Sequence, residues 1–177
     1  MDAELLTPRL RLRRPVAEDR DDFVRLFGDA DVMRFLNGVR TPEESAAALG
    51  RMLSQWERHG YGVRTVLERD TGRFVGRCGL RWQEVADAAE LLYTLRLESW
   101  GRGLATEAAR EAMAHAFVHC GLDRLVGIHV VGNDASARVM VKLGMRLERA
   151  TTEVVYGRPV RVYAVDRASI DRRGPGT

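Results

Sequence analysis

A predicted strand, a glycine-rich turn and a predicted helix follow one another between residues 89 and 120. The turn lies in the segment SWGRGLATEAA, residues 99–109, where two glycines flank an arginine and small residues follow. The first N–H groups of a helix have no partner within the helix, and the helix dipole adds partial positive charge there. This junction is therefore a candidate anion site, although the same glycines would also serve a plain tight turn.

The residues of this junction narrow the kind of anion that it could hold. The segment has neither the Gly-Lys-Ser/Thr ending of a nucleotide triphosphate loop nor the G-x-G-x-x-G spacing of a dinucleotide fingerprint. Gly101, Gly103 and Ala105 leave the backbone open to an approaching phosphate, and Arg102 and Arg110 could add positive charge at the edge. The pattern favours phosphate bound by backbone N–H groups.

Hydrophobic periodicity along the chain predicts a mixed α/β domain with the element order βαααβββαβαββ. The segment from Thr41 to Gly60 shows a capping box at its start and a glycine stop, which indicates a helix. Asp-Thr-Gly at residues 70–72 predicts a hairpin between two strands. We expect one domain over residues 1–170 and a loose tail over residues 171–177, which lacks apolar anchors.

Composition excludes several functional classes. The chain has 177 residues, 45% of them apolar and 30% charged, and its net charge is only +3 with scattered arginines. Nucleic-acid binding is therefore not expected, and neither is a membrane span, since no apolar run is long enough. The two cysteines, Cys78 and Cys120, lie in apolar surroundings and do not suggest a disulfide framework. With no signal-peptide pattern at the start of the chain, we expect a cytoplasmic protein.

The glycine turn also carries a family resemblance. WGRGLATEAA resembles the pyrophosphate-binding motif R/Q-x-x-G-x-G/A of the GNAT acetyltransferases, with Trp100, Gly103 and Ala105 at its defined positions. Together with AELLYTLRLES and NDASARVMVKLGM, it is similar to the branch that acetylates the N-termini of ribosomal proteins, the RimJ/RimL-like group. The resemblance implies a mostly antiparallel seven-stranded sheet, helices on both faces, and a splayed parallel strand pair formed by ELLYTL and RLVGIHVV.

The resemblance further implies that the chain uses acetyl-CoA as a co-substrate, bound in the opening between the splayed strands. Backbone groups at the end of the first strand would pair with the pantetheine arm, and amides of the turn would hold the pyrophosphate. Two residues near the start of the next helix would approach the arm from the other side. In this order, the implied residues are Leu95, Arg96 and Leu97; Arg102, Gly103, Leu104, Ala105, Thr106 and Glu107; and Asn133 and Ser136.

Acetyl transfer to an amine requires loss of an amine proton, polarisation of the thioester carbonyl and protonation of the departing thiolate. The resemblance places a backbone N–H near Leu95 as the donor to the carbonyl. Glu90, at the start of the same strand, could act through water as the general base. An ordinary glutamate has a pKa of about 4.3, so this role requires a special environment. The alternative is a solvated carboxylate at the end of a strand.

In many GNAT enzymes a tyrosine acts as the general acid that protonates the thiolate, and this chain has Met140 at that position. Ser136 lies one helical turn earlier on the same face, and a serine there is similar to the RimL-like pattern. Ser136 could instead help to cap its helix. Tyr93 is a second possible donor, or a packing residue. His115 and His119 have metal-ligand spacing but lack the other ligands of a known motif, so no metal site is expected.

The resemblance implies direct acetyl transfer to a primary amine, either a protein or peptide N-terminus or a small amine metabolite. Arg34, Arg158 and Arg161 lie near the expected acceptor entrance and favour an acceptor that bears a carboxylate over a polycation. One alternative is acetylation of an antibiotic or toxin that carries an amine, and another is an acyl-CoA-binding module without turnover. The resemblance also suggests a homodimer.

Overall fold

The computed structural model of the chain describes residues 4–83, 86–155 and 157–171. The tail expected over residues 171–177 falls outside the described residues from residue 172 onward, and Asp171 ends the last helix. The strands are β1 (Leu5–Leu6), β2 (Leu10–Arg13), β3 (Val63–Glu68), β4 (Phe74–Gln83), β5 (Ala88–Leu95), β6 (Arg124–Val130), β7 (Arg146–Val155) and β8 (Arg158–Asp166). The helices are α1 (Arg20–Gly28), α2 (Ala30–Met33), α3 (Pro42–His59), α4 (Leu104–Val118), α5 (Asp134–Lys142) and α6 (Arg167–Asp171).

The strands form one mixed sheet in the order β1-β2-β3-β4-β5-β6-β8-β7. All neighbouring pairs are antiparallel except β5 and β6, which confirms the mostly antiparallel sheet and its single parallel pair. The predicted count of seven strands is wrong by one. The expected first strand turns back at Thr7 and Pro8, so that Leu5 pairs with Leu12 of the next segment. Proline has no N–H for a ladder, which favours a turn at this point.

Local capping explains where the helices begin. The Asp29 carboxylate accepts hydrogen bonds from the amides of Asp31 and Val32 and so starts α2. At α3 the Thr41 hydroxyl accepts from the Glu44 amide while the Glu44 carboxylate accepts from the Thr41 amide, which confirms the predicted capping box. Gly60 ends this helix in the left-handed conformation.

Both faces of the sheet are covered by helices, as expected. On one face, α4 and α5 pack on the sheet through Leu104, Ala108, Ala112, Phe117 and Met140. On the other face, α1, α2 and α3 contribute Phe23, Phe27, Met33, Leu49 and Met52. None of the described helices combines the length and the apolar character that a membrane crossing requires.

A buried polar cluster ties the first 3₁₀ turn, Ala17–Asp19, to the sheet. Asp19 is only 4% exposed. Its carboxylate accepts hydrogen bonds from Arg13 Nη1 at 2.9 Å and from the Thr65 hydroxyl at 2.7 Å, and also from the Val16 amide. A charge buried this deeply requires such partners, so the cluster fixes the start of α1 against β2 and β3.

Candidate active site

The parallel strands β5 and β6 separate toward their carboxyl ends. Within the described residues they pair at one register, Glu90 with Val126, although β5 continues to Leu95 and β6 to Val130. The Arg96 amide donates to the Val75 carbonyl at 2.9 Å, so the backbone of Arg96 faces β4. In an antiparallel ladder, successive residues direct their N–H and C=O groups to opposite sides of the strand. The N–H and C=O groups of Leu95, which is opposite Gly76, therefore face β6. An opening in the sheet therefore lies beside free edges of both strands.

A cavity of about 390 Å³ extends along this opening. It is bounded by the end of β5, the glycine turn, the first turn of α4, one face of α5 and the segment after α2. The structure thus brings together seven of the residues that the sequence predicts for cofactor binding, namely Leu95, Gly103, Leu104, Ala105, Thr106, Asn133 and Ser136.

The glycine turn combines both interpretations of its sequence. Gly101 has φ +71° and Gly103 has φ +76°, so the turn uses a conformation that L side chains rarely adopt. The Glu107 amide donates to the Gly103 carbonyl at 3.1 Å, as the first bond of the α4 ladder. The amides of Leu104, Ala105 and Thr106 therefore precede the ladder and remain available to an anion at the cavity wall.

Four of the predicted cofactor-binding residues are not among the described residues that line this cavity: Arg96, Leu97, Arg102 and Glu107. The Arg102 side chain pairs with Glu68 at 3.2 Å, and Glu107 pairs with Arg9 at 2.6 Å. Arg96 pairs with Glu98, while Leu97 starts a second 3₁₀ turn, Leu97–Ser99. The three charged side chains form ion pairs beside the glycine turn instead of lining the cavity. The sequence did not indicate these ion pairs.

A second, smaller cavity of about 70 Å³ shares six lining residues with the large one, namely Phe35, Leu36, Tyr93, Thr94, Asn133 and Ser136. Its other lining residues include Arg77, Arg81, Glu90, His129 and Met140. The two spaces therefore adjoin along the shared residues, which include the hydrogen-bonded Tyr93–Ser136 pair.

Tyr93 reaches across the opening to α5. Its hydroxyl lies 3.0 Å from both the carbonyl oxygen and the Oγ of Ser136. Burial raises the pKa of Tyr93 above its ordinary value of 10.0, against a smaller opposing effect of the Ser136 hydrogen bond. The helix cap is supplied by Asn133, whose side chain accepts from the Ser136 amide, so the hydroxyl of Ser136 is left for the tyrosine.

Met140 occupies the α5 position where the resemblance led us to look for a tyrosine. It is 2% exposed, and its sulfur lies 3.1 Å from the place where a side chain at Gly127 of β6 would begin. The tyrosine hydroxyl next to Ser136 therefore comes from β5 rather than from the Met140 position of α5. The alternation of side chains along a strand puts Tyr93 on the same face as Leu91 and Leu95. This pattern is the sequence signal that could have indicated Tyr93 as the donor.

Glu90 lies in the wall of the small cavity and is only 3% exposed, so the alternative of a solvated carboxylate is wrong. Its Oε2 accepts from Arg81 Nε at 2.6 Å and from Gln83 Nε2 at 3.1 Å. It is the only carboxylate among the described residues that line this cavity. The geometry allows Glu90 to receive a proton from an amine bound in the small cavity, directly or through water.

Three cationic side chains among the described residues line the large cavity: Arg34, which the sequence placed at the acceptor entrance, and Arg138 and Lys142, which the sequence did not indicate. Arg138 and Lys142 lie one helical turn apart on α5 and both line the cavity. Arg34 lines it from the segment after α2, and its carbonyl accepts from Arg158 Nη1 at 3.0 Å. These cations suit a ligand with several negative charges. Arg161, the third arginine of the expected entrance, pairs with His129 in the β6–β8 ladder.

The two histidines with metal-ligand spacing lie at the end of α4, His115 in the helix and His119 directly after it. The rings of His115 and His119 lie 5.0 Å apart, but His115 Nε2 lies 3.4 Å from Arg64 Nη2. Among the described residues, no group of three or more histidine, cysteine, aspartate or glutamate side chains is placed to hold a metal ion.

Residues 9–146 match the family described as Acetyltransferase (GNAT) domain. This chain belongs to the GNAT acetyltransferase family. The uncharacterized protein YkkB of Bacillus subtilis (strain 168) is 32% identical over 167 residues, which cover 90% of this chain and 94% of YkkB. The chain is thus an acyltransferase, and acetyl-CoA is its co-substrate.

Solved structures share the fold at lower identity. The acetyltransferase from Agrobacterium tumefaciens str. C58 superposes with a TM-score of 0.83 at 23% identity, covering 94% of this chain and 96% of that one. RimL, a ribosomal L7/L12 alpha-N-protein acetyltransferase solved in complex with coenzyme A, gives a TM-score of 0.78 at 20% identity, with 93% and 98% covered. At these identities the likeness establishes the GNAT fold, including the parallel β5–β6 pair.

Proposed function

We propose that this acyltransferase moves an acetyl group from acetyl-CoA to a primary amine by direct attack, without a covalent enzyme intermediate. Acetyl-CoA would lie in the large cavity and the acceptor amine in the small one. The observation that carries this proposal is the meeting of the two cavities at Tyr93 and Ser136, next to the splayed strand edge. No nucleophile of the protein is needed, since the amine reaches the thioester itself.

Within this proposal, the turn and α5 bind the donor. The amides of Leu104, Ala105 and Thr106 would hold the pyrophosphate, and Arg138 and Lys142 would attract the remaining phosphate. The Leu95 carbonyl already accepts from Trp100 Nε1 at 2.8 Å, so it is the Leu95 N–H that can face the ligand. That N–H would polarise the thioester carbonyl as negative charge develops on its oxygen.

Two proton transfers complete the proposed reaction. The amine attacks the thioester carbon, the carbon–sulfur bond breaks, and the electron pair leaves on the sulfur of CoA. The ammonium proton passes toward Glu90, and the thiolate takes a proton from the Tyr93–Ser136 pair. A tyrosine hydroxyl is protonated at neutral pH, and burial, which raises the pKa of Tyr93, keeps it so.

For the acceptor, we propose a peptide N-terminus or a small amine metabolite with a negative charge close to the amine. The lining of the small cavity contains two guanidinium groups, Arg77 and Arg81, and one carboxylate, Glu90. Arg77 is held in place by its Nε bond to the Thr94 hydroxyl at 3.2 Å and by stacking on Phe27. A polyamine or an aminoglycoside would bring further positive charge into this space.

The first test is thiol release from acetyl-CoA with peptides that begin with Ser, Ala, Thr or Met, free amino acids, polyamines and aminoglycosides. We expect turnover above the acceptor-free rate, and we expect Glu90→Gln to lower kcat by about a hundredfold, since it removes a proton acceptor. Glu57→Gln, a change at a 75% exposed carboxylate, is the control and should leave kcat unchanged. A protein that binds acetyl-CoA tightly but releases no thiol with any acceptor would support the binding-module alternative.

The acceptor class is tested with matched pairs of acceptors, each an α-amino acid and the amine that lacks its carboxylate. We expect kcat/KM to favour the amino acid by about tenfold, a preference worth about 1.4 kcal/mol. Arg77→Gln should remove most of this preference while thiol release with the uncharged amine continues. Equal kcat/KM values for both members of each pair in the wild type would contradict the anionic acceptor.

Three expectations from the sequence stay predictions: the single domain over residues 1–170, the homodimer and the cytoplasmic location. The family assignment is compatible with each of them but tests none. Sedimentation of the purified protein over a range of concentrations would measure the oligomeric state directly.

A further inference from the structure

The first turn of α4 is tied to the turn between β1 and β2, nearly a hundred residues earlier in the chain. Glu107 Oε1 accepts from the Thr7 hydroxyl at 2.6 Å and from the Arg9 amide at 2.9 Å. Glu107 Oε2 accepts from Arg9 Nε at 2.7 Å and lies 2.6 Å from Arg9 Nη2. Both carboxylate oxygens are thus engaged, and two nitrogens of the Arg9 guanidinium, Nε and Nη2, are directed at the same oxygen, Oε2, in a charge-assisted contact.

The same guanidinium also holds the glycine turn. Arg9 Nη1 donates to the Arg102 carbonyl at 3.0 Å, and Nη2 lies 3.7 Å from the place where a side chain at Gly103 would begin. In a trans peptide the C=O and the following N–H point in opposite directions. Because Arg9 draws the Arg102 carbonyl toward itself, the Gly103 N–H points away from Arg9. One side chain therefore orients the peptide that leads into the anion site.

Because Glu107 is charged, its ion pair with Arg9 has an electrostatic effect on the anion site as well as a structural one. A carboxylate in the first helical turn adds negative charge beside amides that are to receive a phosphate, and the two would repel each other. Burial acts to raise the pKa of Glu107, but its hydrogen bonds to Thr7 and Arg9 outweigh burial and lower the pKa. Glu107 is therefore ionised at neutral pH, and the guanidinium of Arg9 neutralises it.

We propose that Arg9 is a positioning residue for the pyrophosphate of acetyl-CoA, acting through Glu107 and through the Arg102 carbonyl. This inference rests on the proposed placement of acetyl-CoA in the large cavity. It assigns Glu107 a role through its side chain, in place of the direct amide contact that the family resemblance implied. It also makes the turn between β1 and β2 part of the donor site, although Thr7 and Arg9 do not line the cavity among the described residues.

The test compares two acetyl donors, acetyl-CoA and S-acetylpantetheine, which lacks the pyrophosphate. For Arg9→Ala we expect kcat/KM with acetyl-CoA to fall by about tenfold, chiefly through KM, while kcat/KM with S-acetylpantetheine stays within about twofold of the wild type. Arg9→Lys should recover only part of the loss, because an ammonium lacks the rigid planar fork that contacts Glu107 and the Arg102 carbonyl at the same time. Arg11→Ala, two residues later on β2 and 3.8 Å from Glu4, is the matched control.

Two results would overturn the inference alone. An equal loss with both donors would show a general structural role for Arg9, and an unchanged KM for acetyl-CoA would show no role at the donor site. Calorimetry of the wild type with CoA separates these from failure of the proposed function, since a wild type that does not bind CoA would overturn the donor site itself.

Discussion

Replacing Tyr93 with phenylalanine is expected to lower kcat by about a hundredfold while KM for acetyl-CoA changes by less than about threefold. The hydroxyl of Tyr93 lies where the two cavities meet and bonds to Ser136 across the opening. Its removal would leave the departing thiolate without its proton donor but would leave the phosphate contacts intact. Steady-state kinetics with saturating acceptor measures the effect on kcat.

The control for this change is Tyr61→Phe, because Tyr61 is also a partly buried tyrosine packed on the core but lies outside both cavities. The double variant Y93F/S136A should cost little more than the worse single variant, since two groups joined in one proton path act as a unit. If instead Ser136→Ala lowers kcat and Tyr93→Phe does not, the proton comes from the serine. Costs that multiply in the double variant would indicate two independent roles.

The Tyr93 assignment also has a consequence for the pH profile. Since burial raises the pKa of Tyr93 above 10.0, this hydroxyl remains protonated as the pH rises through the range in which free tyrosine ionises. A fall in kcat below pH 10 would therefore report another group.

Replacing Asp19 with alanine is expected to lower the free energy of unfolding by about 3 kcal/mol. The change would leave the guanidinium of Arg13, only 22% exposed, without its carboxylate and would also remove the acceptor of the Thr65 hydroxyl. Asp19→Asn should cost less, since an amide oxygen can still accept from Thr65. Urea unfolding followed by circular dichroism measures the difference, with Asp22→Ala in the exposed Arg25 pair as the control.

The same carboxylate predicts how stability responds to acid. Burial acts to raise the pKa of Asp19, but its hydrogen bonds to Arg13, Thr65 and Val16 outweigh burial and lower the pKa below the ordinary 3.8. The stabilisation is therefore complete above pH 3.8 and is lost as the pH falls through the lower, folded-state value. Asp19→Asn should flatten this part of the stability curve, and a variant with an unchanged acid dependence would contradict the assignment.

Local sequence signals were sufficient for most of the fold and for the strand–turn–helix junction that we propose as the anion site. Thr41 with Glu44 marked one helix start, and Gly101 with Gly103 marked the strand–turn–helix junction. Each of these signals consists of residues only two or three positions apart in the sequence. The strand count failed at Pro8, where an alternating pattern continued through a residue that turns the chain. Alternation reports which face a side chain occupies, and it does not report where a short strand folds back.

The side chains proposed to move protons and to position the donor make contacts that no local sequence pattern contains. Tyr93 and Ser136 are 43 residues apart, and Arg9 and Glu107 are 98 residues apart. Whether a strand tyrosine packs in the core or bonds to a hydroxyl depends on which helix covers that face of the sheet, and on which turn of that helix lies opposite the tyrosine. The ion pair of Glu90 with Arg81 depends in the same way on the register of β4 with β5, which their sequence spacing alone does not set.

The single paired register between β5 and β6 has a mechanical consequence. A hydrogen-bonded ladder is what makes a sheet stiff, and here the ladder is continuous within β1–β5 and within β6–β8 but nearly absent between them. The sheet therefore consists of two hydrogen-bonded ladders joined along a seam, and α5 contacts both of them, through Tyr93 of β5 and Gly127 of β6. An acetyl-CoA molecule bound in the seam as proposed would bridge the two ladders, so we expect the protein to be stiffer with substrate bound than after the product leaves.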